Sequence, residues 1–183
     1  MRISSFIVAT LAMIGAASAQ THAFGPAVGV TLPAISAPDQ TGAARTLASL
    51  AGERGTVLLV TRAADWCPYC QQQMIDLEAA RAEIERRGYR IVTISTDTPE
   101  ELARFGQRRS IGYTMLSDEQ AAVVRQLDLF DPTQPPNSRH NGLPVPTVLI
   151  LSPQGEVRAK LGDASYRVRP STAAVIEALD SLR

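Results

Sequence analysis

Two cysteines, Cys67 and Cys70, are the only ones in the 183-residue chain, and they sit in the stretch Trp66-Cys67-Pro68-Tyr69-Cys70. Residues three apart on a helix share a face, so two sulfurs at this spacing can bond without distortion. A disulfide saves most chain entropy when it closes a long loop. This ring holds only Pro68 and Tyr69 between the cysteines, which argues for reversible thiol–disulfide chemistry rather than a structural staple. Two cysteines are also half of a zinc site. The only histidines are His22 and His140, with no third cysteine, so a closed zinc site is disfavoured. A C-x-x-C beside a β-α-β pattern is the signature of redox use.

The two sulfurs have different expected roles. At the first residue of a helix, backbone N–H groups point outward unpaired, and the dipole favours an anion. The thiolate is the nucleophile of disulfide exchange, so Cys67 is the attacking sulfur. Cys70, one turn further in, is the shielded, resolving one. Pro68 suits a first helical turn, where no donor is needed. Trp66 is expected to form an apolar platform that limits water at the sulfur.

The elements that must position this pair follow from pattern. Thr56 to Thr61 is a continuous apolar, β-branched run, predicting a strand buried on both faces. Gln71 to Arg87 reads as one helix stopped by Gly88. Tyr89 to Thr96 is a second strand, and Asp97-Thr98-Pro99-Glu100-Glu101 opens a helix with a cap, a proline and acids at its positive end. Thr114 to Leu116 is a short strand, and Asp118 can cap a helix from Glu119 to Leu127. Asp131 to Val145 is a proline-rich loop. Thr147 to Leu151 and Glu156 to Leu161 form a hairpin, and Ser171 caps a last helix. Strands alternating with helices imply an α/β domain, with a central mixed sheet flanked by helices on both faces. The cysteines lie at a strand's carboxyl end, where open α/β sheets place their chemistry.

The ends and the composition set the context. Arg2, the uncharged apolar run Ile3 to Ala17 and the small-x-small Ala17-Ser18-Ala19 predict a signal peptide, residues 1–19, cleaved before Gln20. The run is short for a membrane span, so no stable membrane insertion is expected after cleavage. The expected location is periplasmic or secreted. Residues 20–38 read as an extended N-terminal arm and 39–183 as the single domain. Basic and acidic residues balance at 18 each, which argues against nucleic acid as a partner.

These residues carry a resemblance. The Trp66 to Cys70 motif after an apolar strand, with Val145-Pro146-Thr147 before the hairpin, resembles the thioredoxin fold. That resemblance implies that Pro146 is a cis-proline against the dithiol, and that the Val145 backbone pairs with an extended substrate. Asp39-Gln40-Thr41-Gly42, Arg62 to Cys70, Ile94 to Pro99, Leu116-Ser117-Asp118 and Pro146 to Gly155 together resemble the redoxin branch, the peroxiredoxin-like proteins of the AhpC/TSA type. The resemblance implies a thiol–disulfide oxidoreductase with thiol peroxidase activity and an antioxidant role. Its partners would be a peroxide or a disulfide-bonded protein and an unidentified thiol reductant; no cofactor or metal is expected.

The pattern departs from that family in two places. Val60 and Ala64 stand where peroxiredoxins carry a proline and a threonine or serine before the reactive cysteine, so the peroxide-holding hydroxyl is missing. Thr61 stands where thioredoxin has a buried acid; Glu78 is a candidate replacement, or a surface charge. Arg62 reads equally as a cation near the sulfur or as a solvated arginine. His140 reads either as a residue set over the dithiol or, by preference, as a surface loop residue, and Tyr166, Arg167 and Arg169 read as loop. An alternative is a copper carrier, since Sco-type proteins resemble this arrangement in fold and in their use of two cysteines with a distal histidine, although their cysteines are spaced differently.

Overall fold

A short hairpin comes first in the structure, a computed structural model that describes residues 24–131, 133–138, 140–163 and 165–182. In it β1 (Ser36–Pro38) pairs antiparallel with β2 (Ala44–Thr46). A single 3-10 turn over Leu47–Leu50 follows, capped by Thr46. The main sheet then opens with β3 (Gly55–Val60), followed by α1 (Pro68–Ala79), α2 (Arg81–Arg86) and β4 (Tyr89–Ser95). Next come α3 (Pro99–Arg109), β5 (Thr114–Ser117) and α4 (Ala122–Gln126). After the proline-rich loop come β6 (Thr147–Leu151), β7 (Val157–Gly162) and α5 (Thr172–Ser181).

The strand order is β5-β4-β3-β6-β7. β3, β4 and β5 are parallel, while β6 is antiparallel to β3 and to β7. The sheet is mixed, as the sequence predicts. β3 lies at its centre, which explains its unbroken apolar run: successive residues feed opposite faces. Leu58 and Val60 join Val92, Ile94, Val124 and Leu149 in one core. Val57 and Leu59 join Met74, Leu77, Ile91, Phe105 and Leu179 in the other. Helices therefore cover both faces.

Two expected helices differ. The single helix over residues 71–87 starts earlier, at Pro68, and is broken at Ala80. The proline at its first position makes Cys67 the last non-helical residue. The turn at Ala80 lets Ile84 and Tyr89 reach the core that Met74 and Leu77 occupy. The helix expected from Glu119 begins at Ala122 instead, because Ala121 adopts a left-handed backbone. Asp118 still satisfies its first turn, accepting the Ala122, Val123 and Val124 N–H groups.

The N-terminal arm, where described, is part of the domain. The Gly25 N–H bonds Asp128 O, the Leu32 N–H bonds Gly155 O, and the Val157 N–H bonds Val30 O. Leu32 and Ile35 are buried in the shared core. The expected leader over residues 1–19 and His22 lie outside the described residues. Among the described residues, no helix is long and apolar enough to cross a membrane.

Gly55 starts the strand that delivers the cysteines. Its φ is +129°, and a Cβ there would fall on the Leu151 carbonyl across the β3–β6 pairing. Gly55→Ala is expected to destabilise the protein by about 2–4 kcal/mol, read as a lowered urea midpoint with an unchanged m-value.

Candidate active site

The chain leaves β3 at Val60 and crosses to α1 through residues 61–66. The Thr61 N–H bonds Ile94 O, and the Thr96 hydroxyl bonds Arg62 O, so the crossing is tied to the end of β4. The next two residues are held from both sides. The Asp97 carboxylate accepts the Ala64 N–H at 2.6 Å and the Asp65 N–H at 3.0 Å. From α1, the Gln71 amide donates to Ala64 O at 2.8 Å and Asp65 O at 2.9 Å. Both the donors and the acceptors of this backbone are thus occupied before the chain reaches the cysteines.

Asp97 is buried, and the Ser95 hydroxyl also donates to it. Burial pushes its carboxyl above the ordinary carboxylate value, against the opposing pull of those hydrogen bonds. The sequence pattern offers Asp97 only as a helix cap. Thr98 fills that role in a capping box with Glu101, which releases Asp97 for the site. Glu78 instead bonds Arg81 and the Gly112 N–H. Thr61, which stands where thioredoxin has a buried acid, is fully buried and its hydroxyl has no partner.

Cys67 caps α1 with an extended backbone, φ −97° and ψ 103°, and its carbonyl accepts the Cys70 and Gln71 N–H groups. The two cysteines are joined as a disulfide with their Cα atoms 5.2 Å apart. Their environments differ. Cys67 retains 4% exposure and lines a cleft of about 300 Å³ together with Arg62, Trp66, Tyr69, His140 and Tyr166. Cys70 is fully buried behind it and does not line that cleft. Pro68 lies on the cleft wall at the first position of α1.

Trp66 is 49% exposed, so it is a wall of the cleft rather than a lid over the sulfur. Its ring centroid is 5.5 Å from that of His140, which the loop brings to the site and not to a remote surface. Tyr69 meets Tyr166 edge-on, with centroids 6.1 Å apart.

Arg62 is not a solvated arginine. It is buried, its Nη2 donates to Asp131 at 2.5 Å, and its guanidinium carbon lies 4.3 Å from the centre of the Tyr166 ring. Burial pulls its pKa down while the Asp131 charge raises it. Burial also opposes the Asp131 charge, but the Thr133 and Gln134 hydrogen bonds and Arg62 hold that carboxyl below its ordinary value. The ion pair clamps the start of the proline loop, and Tyr166, from the segment after β7, closes over it. Arg169, on the same segment, donates to Cys70 Sγ at 3.5 Å. Neither contact has a local signal in the sequence, because each joins residues far apart in the chain.

Two expectations at the loop's far end are corrected. No cis peptide occurs among the described residues, so the Val145–Pro146 bond is trans. The Val145 N–H is already bonded to Leu129 O at 2.7 Å, and its carbonyl accepts the Thr147 hydroxyl at 3.0 Å. The Val145 N–H is therefore committed within the fold and is not free to donate to a substrate chain. Pro146 is buried beside Thr61, one residue before the Thr147–Val60 pairing.

For the copper alternative, no group of three or more His, Cys, Asp or Glu side chains placed to hold a metal gathers among the described residues.

Residues 28–160 match the model of the AhpC/TSA family. Peroxiredoxin Bcp of Escherichia coli strain K12 is 34% identical over 98 residues, which are 54% of this chain and 62% of that protein. The match therefore spans less than two thirds of that relative's length. A probable 1-Cys peroxiredoxin of Bromus secalinus is 24% identical over 135 residues, 70% of this chain and 65% of that one. Among solved structures, Peroxidoxin BcpB from Mycobacterium tuberculosis superposes with a TM-score of 0.73 at 24% identity, covering 88% of this chain and 99% of that one. Reduced Prx3 from Vibrio vulnificus in complex with hydrogen peroxide gives 0.73 at 19% identity, covering 84% and 99%. The architecture is thus the thioredoxin-like fold that the sequence predicts.

The grip of Asp97 on the crossing backbone is testable. Asp97→Ala leaves the buried Ala64 N–H and Ser95 hydroxyl without an acceptor, and is expected to cost about 2–4 kcal/mol. The wild-type carboxyl is raised above its ordinary value of 3.8. Its own contribution is therefore fully present below that value and declines as pH rises through the raised one. Urea titrations from pH 4 to pH 8 should show the stability gap between wild type and Asp97→Ala narrowing as pH increases.

Proposed function

The chain belongs to the AhpC/TSA family, and we propose that it is a thiol-dependent oxidoreductase that cycles Cys67 and Cys70 between dithiol and disulfide. The observation that carries this reading is the asymmetry of the pair. Cys67 faces an open cleft at a helix N-terminus, while its bonded partner is sealed behind it. An oxidant reaches Cys67 first, and Cys70 is close enough to resolve what forms.

With a peroxide, the Cys67 thiolate takes one oxygen to become a sulfenic acid, and the peroxide leaves as an alcohol or water. Cys70 then attacks that sulfur, water departs, and the internal disulfide forms. With a disulfide substrate, Cys67 forms a mixed disulfide and one substrate thiolate leaves; Cys70 displaces the other. A thiol reductant restores the dithiol. Family membership and the peroxiredoxin relatives support the peroxide reaction. Ala64 at the usual hydroxyl position and the exposed Trp66 and Tyr69 rings on the rim support a disulfide-bonded protein as the oxidant.

The pre-reduced protein is to be mixed with hydrogen peroxide and, separately, with a disulfide-bonded protein. Cys67→Ser is expected to lower both rates by at least about 100-fold. Cys70→Ser should keep the first attack and accumulate the sulfenic acid or the mixed disulfide, visible by mass. A Cys67→Ser variant as fast as wild type defeats the reading. Whichever oxidant reacts no faster with wild type than with a free thiol is removed from the list of substrates.

The reading places the enzyme outside the cytosol. It rests on Arg2, the uncharged run Ile3 to Ala17 and Ala17-Ser18-Ala19. Expressed in a Gram-negative host, the full chain should appear in the periplasmic or secreted fraction with Gln20 as its first residue. An unprocessed, cytosolic product would refute export.

A further inference from the structure

Cys70 is the more enclosed of the two sulfurs. It is sealed from solvent in a small apolar patch with Ala63 and Cys67. A thiolate in such surroundings is disfavoured. Opening the internal disulfide at Cys67 nevertheless requires Cys70 to leave as an anion.

Arg169 stands where that anion would form. Its Nη2 donates to Cys70 Sγ at 3.5 Å, and its Nη1 donates to Gln73 Oε1 at 3.4 Å. Gln73 is buried on α1, one turn beyond Cys70, so the same helix carries the sulfur and the group that aims the guanidinium at it. Pro170 and Ser171, the cap of α5, follow directly and anchor the segment. Burial, with the charges of Arg62 and Tyr166 as the further influences, brings the guanidinium's pKa down to about 10, so it stays protonated at neutral pH. Burying a cation beside a neutral disulfide is costly unless an anion arises next to it.

We propose that Arg169 is the positioning residue of Cys70, stabilising the thiolate that departs when the internal disulfide is opened. The proposal rests on the dithiol cycle above. A reductant thiolate enters the cleft and bonds Cys67 Sγ. The Cys67–Cys70 bond breaks, and its electron pair goes to Cys70 Sγ beside Arg169, which keeps its proton. A second reductant thiolate then takes the first off Cys67 as a reductant disulfide, leaving both cysteines reduced.

The test uses the full chain with its disulfide formed, reduced by dithiothreitol at pH 7, and its redox equilibrium with glutathione. Arg169→Gln is expected to be reduced about 10-fold more slowly. Its disulfide should also be favoured about 10-fold, a potential about 30 mV more negative. Arg169→Lys, which keeps the charge, should restore both to within about threefold of wild type. The attack of Cys67 on peroxide, measured in a Cys70→Ser background, should not change with Arg169→Gln. Unchanged reduction rate and potential in Arg169→Gln would overturn the proposal. So would equal losses in the Gln and Lys variants that follow a fall in the urea midpoint, since that is a packing role. Dithiothreitol reads this step whatever the natural oxidant is. A wild type inert to peroxide and protein disulfides would thus sink the functional reading and still leave the effect of Arg169 measurable.

Discussion

The site depends on how two peptide groups are held between β3 and α1. A strand that ends in a buried sheet cannot turn into a helix without leaving backbone donors and acceptors exposed to an apolar interior. Here Asp97 takes the N–H groups of residues 64 and 65, and Gln71 takes their carbonyls. One grip comes from the neighbouring strand's end and the other from the helix being started. The direction in which Cys67 enters α1 is therefore set by β4 and α1 together. The acid that does this is buried against its own electrostatic preference, as its raised pKa direction shows.

Charge burial recurs around the dithiol, each time with a different form of compensation. Arg62 is neutralised by Asp131 and covered by the Tyr166 ring. That pair ties the proline loop to the crossing segment and carries His140 to Trp66. Arg169 has no carboxylate of this kind; its described partners are Gln73 and a sulfur. Removing one partner of a buried pair costs more than the pair contributes. The Arg62–Asp131 contact is thus better understood as fixing geometry than as a source of stability.

These constraints make the two sulfurs unequal. Cys67 combines a helix N-terminus with a route to solvent through a cleft of about 300 Å³. Cys70 combines full burial with a guanidinium. The first suits a nucleophile that must meet its substrate, and the second suits a leaving group that must not. The cleft wall is mixed, with the aromatic rings of Trp66, Tyr69 and Tyr166 beside the Arg62 guanidinium.

The sequence alone determined what is local. The spacing of Cys67 and Cys70, the proline at the helix start, the apolar run of β3, the proline and acids that open α3 and the hairpin of β6 and β7 all follow from interactions within a few residues. Their geometry is set by backbone sterics and hydrogen bonds that composition reveals. The mixed sheet follows from the alternation of those elements. The tertiary structure alone decided which distant side chains meet: Asp97 with residues 64 and 65, Arg62 with Asp131 and Tyr166, and Arg169 with Cys70. It also decided that the Pro146 bond is trans and that the Val145 N–H is already bonded to Leu129 O. Each of these depends on which groups face one another after the sheet forms. An isolated arginine or aspartate carries no mark of its partner, because the same residue is stable in water and becomes informative only once burial forces it to be paired.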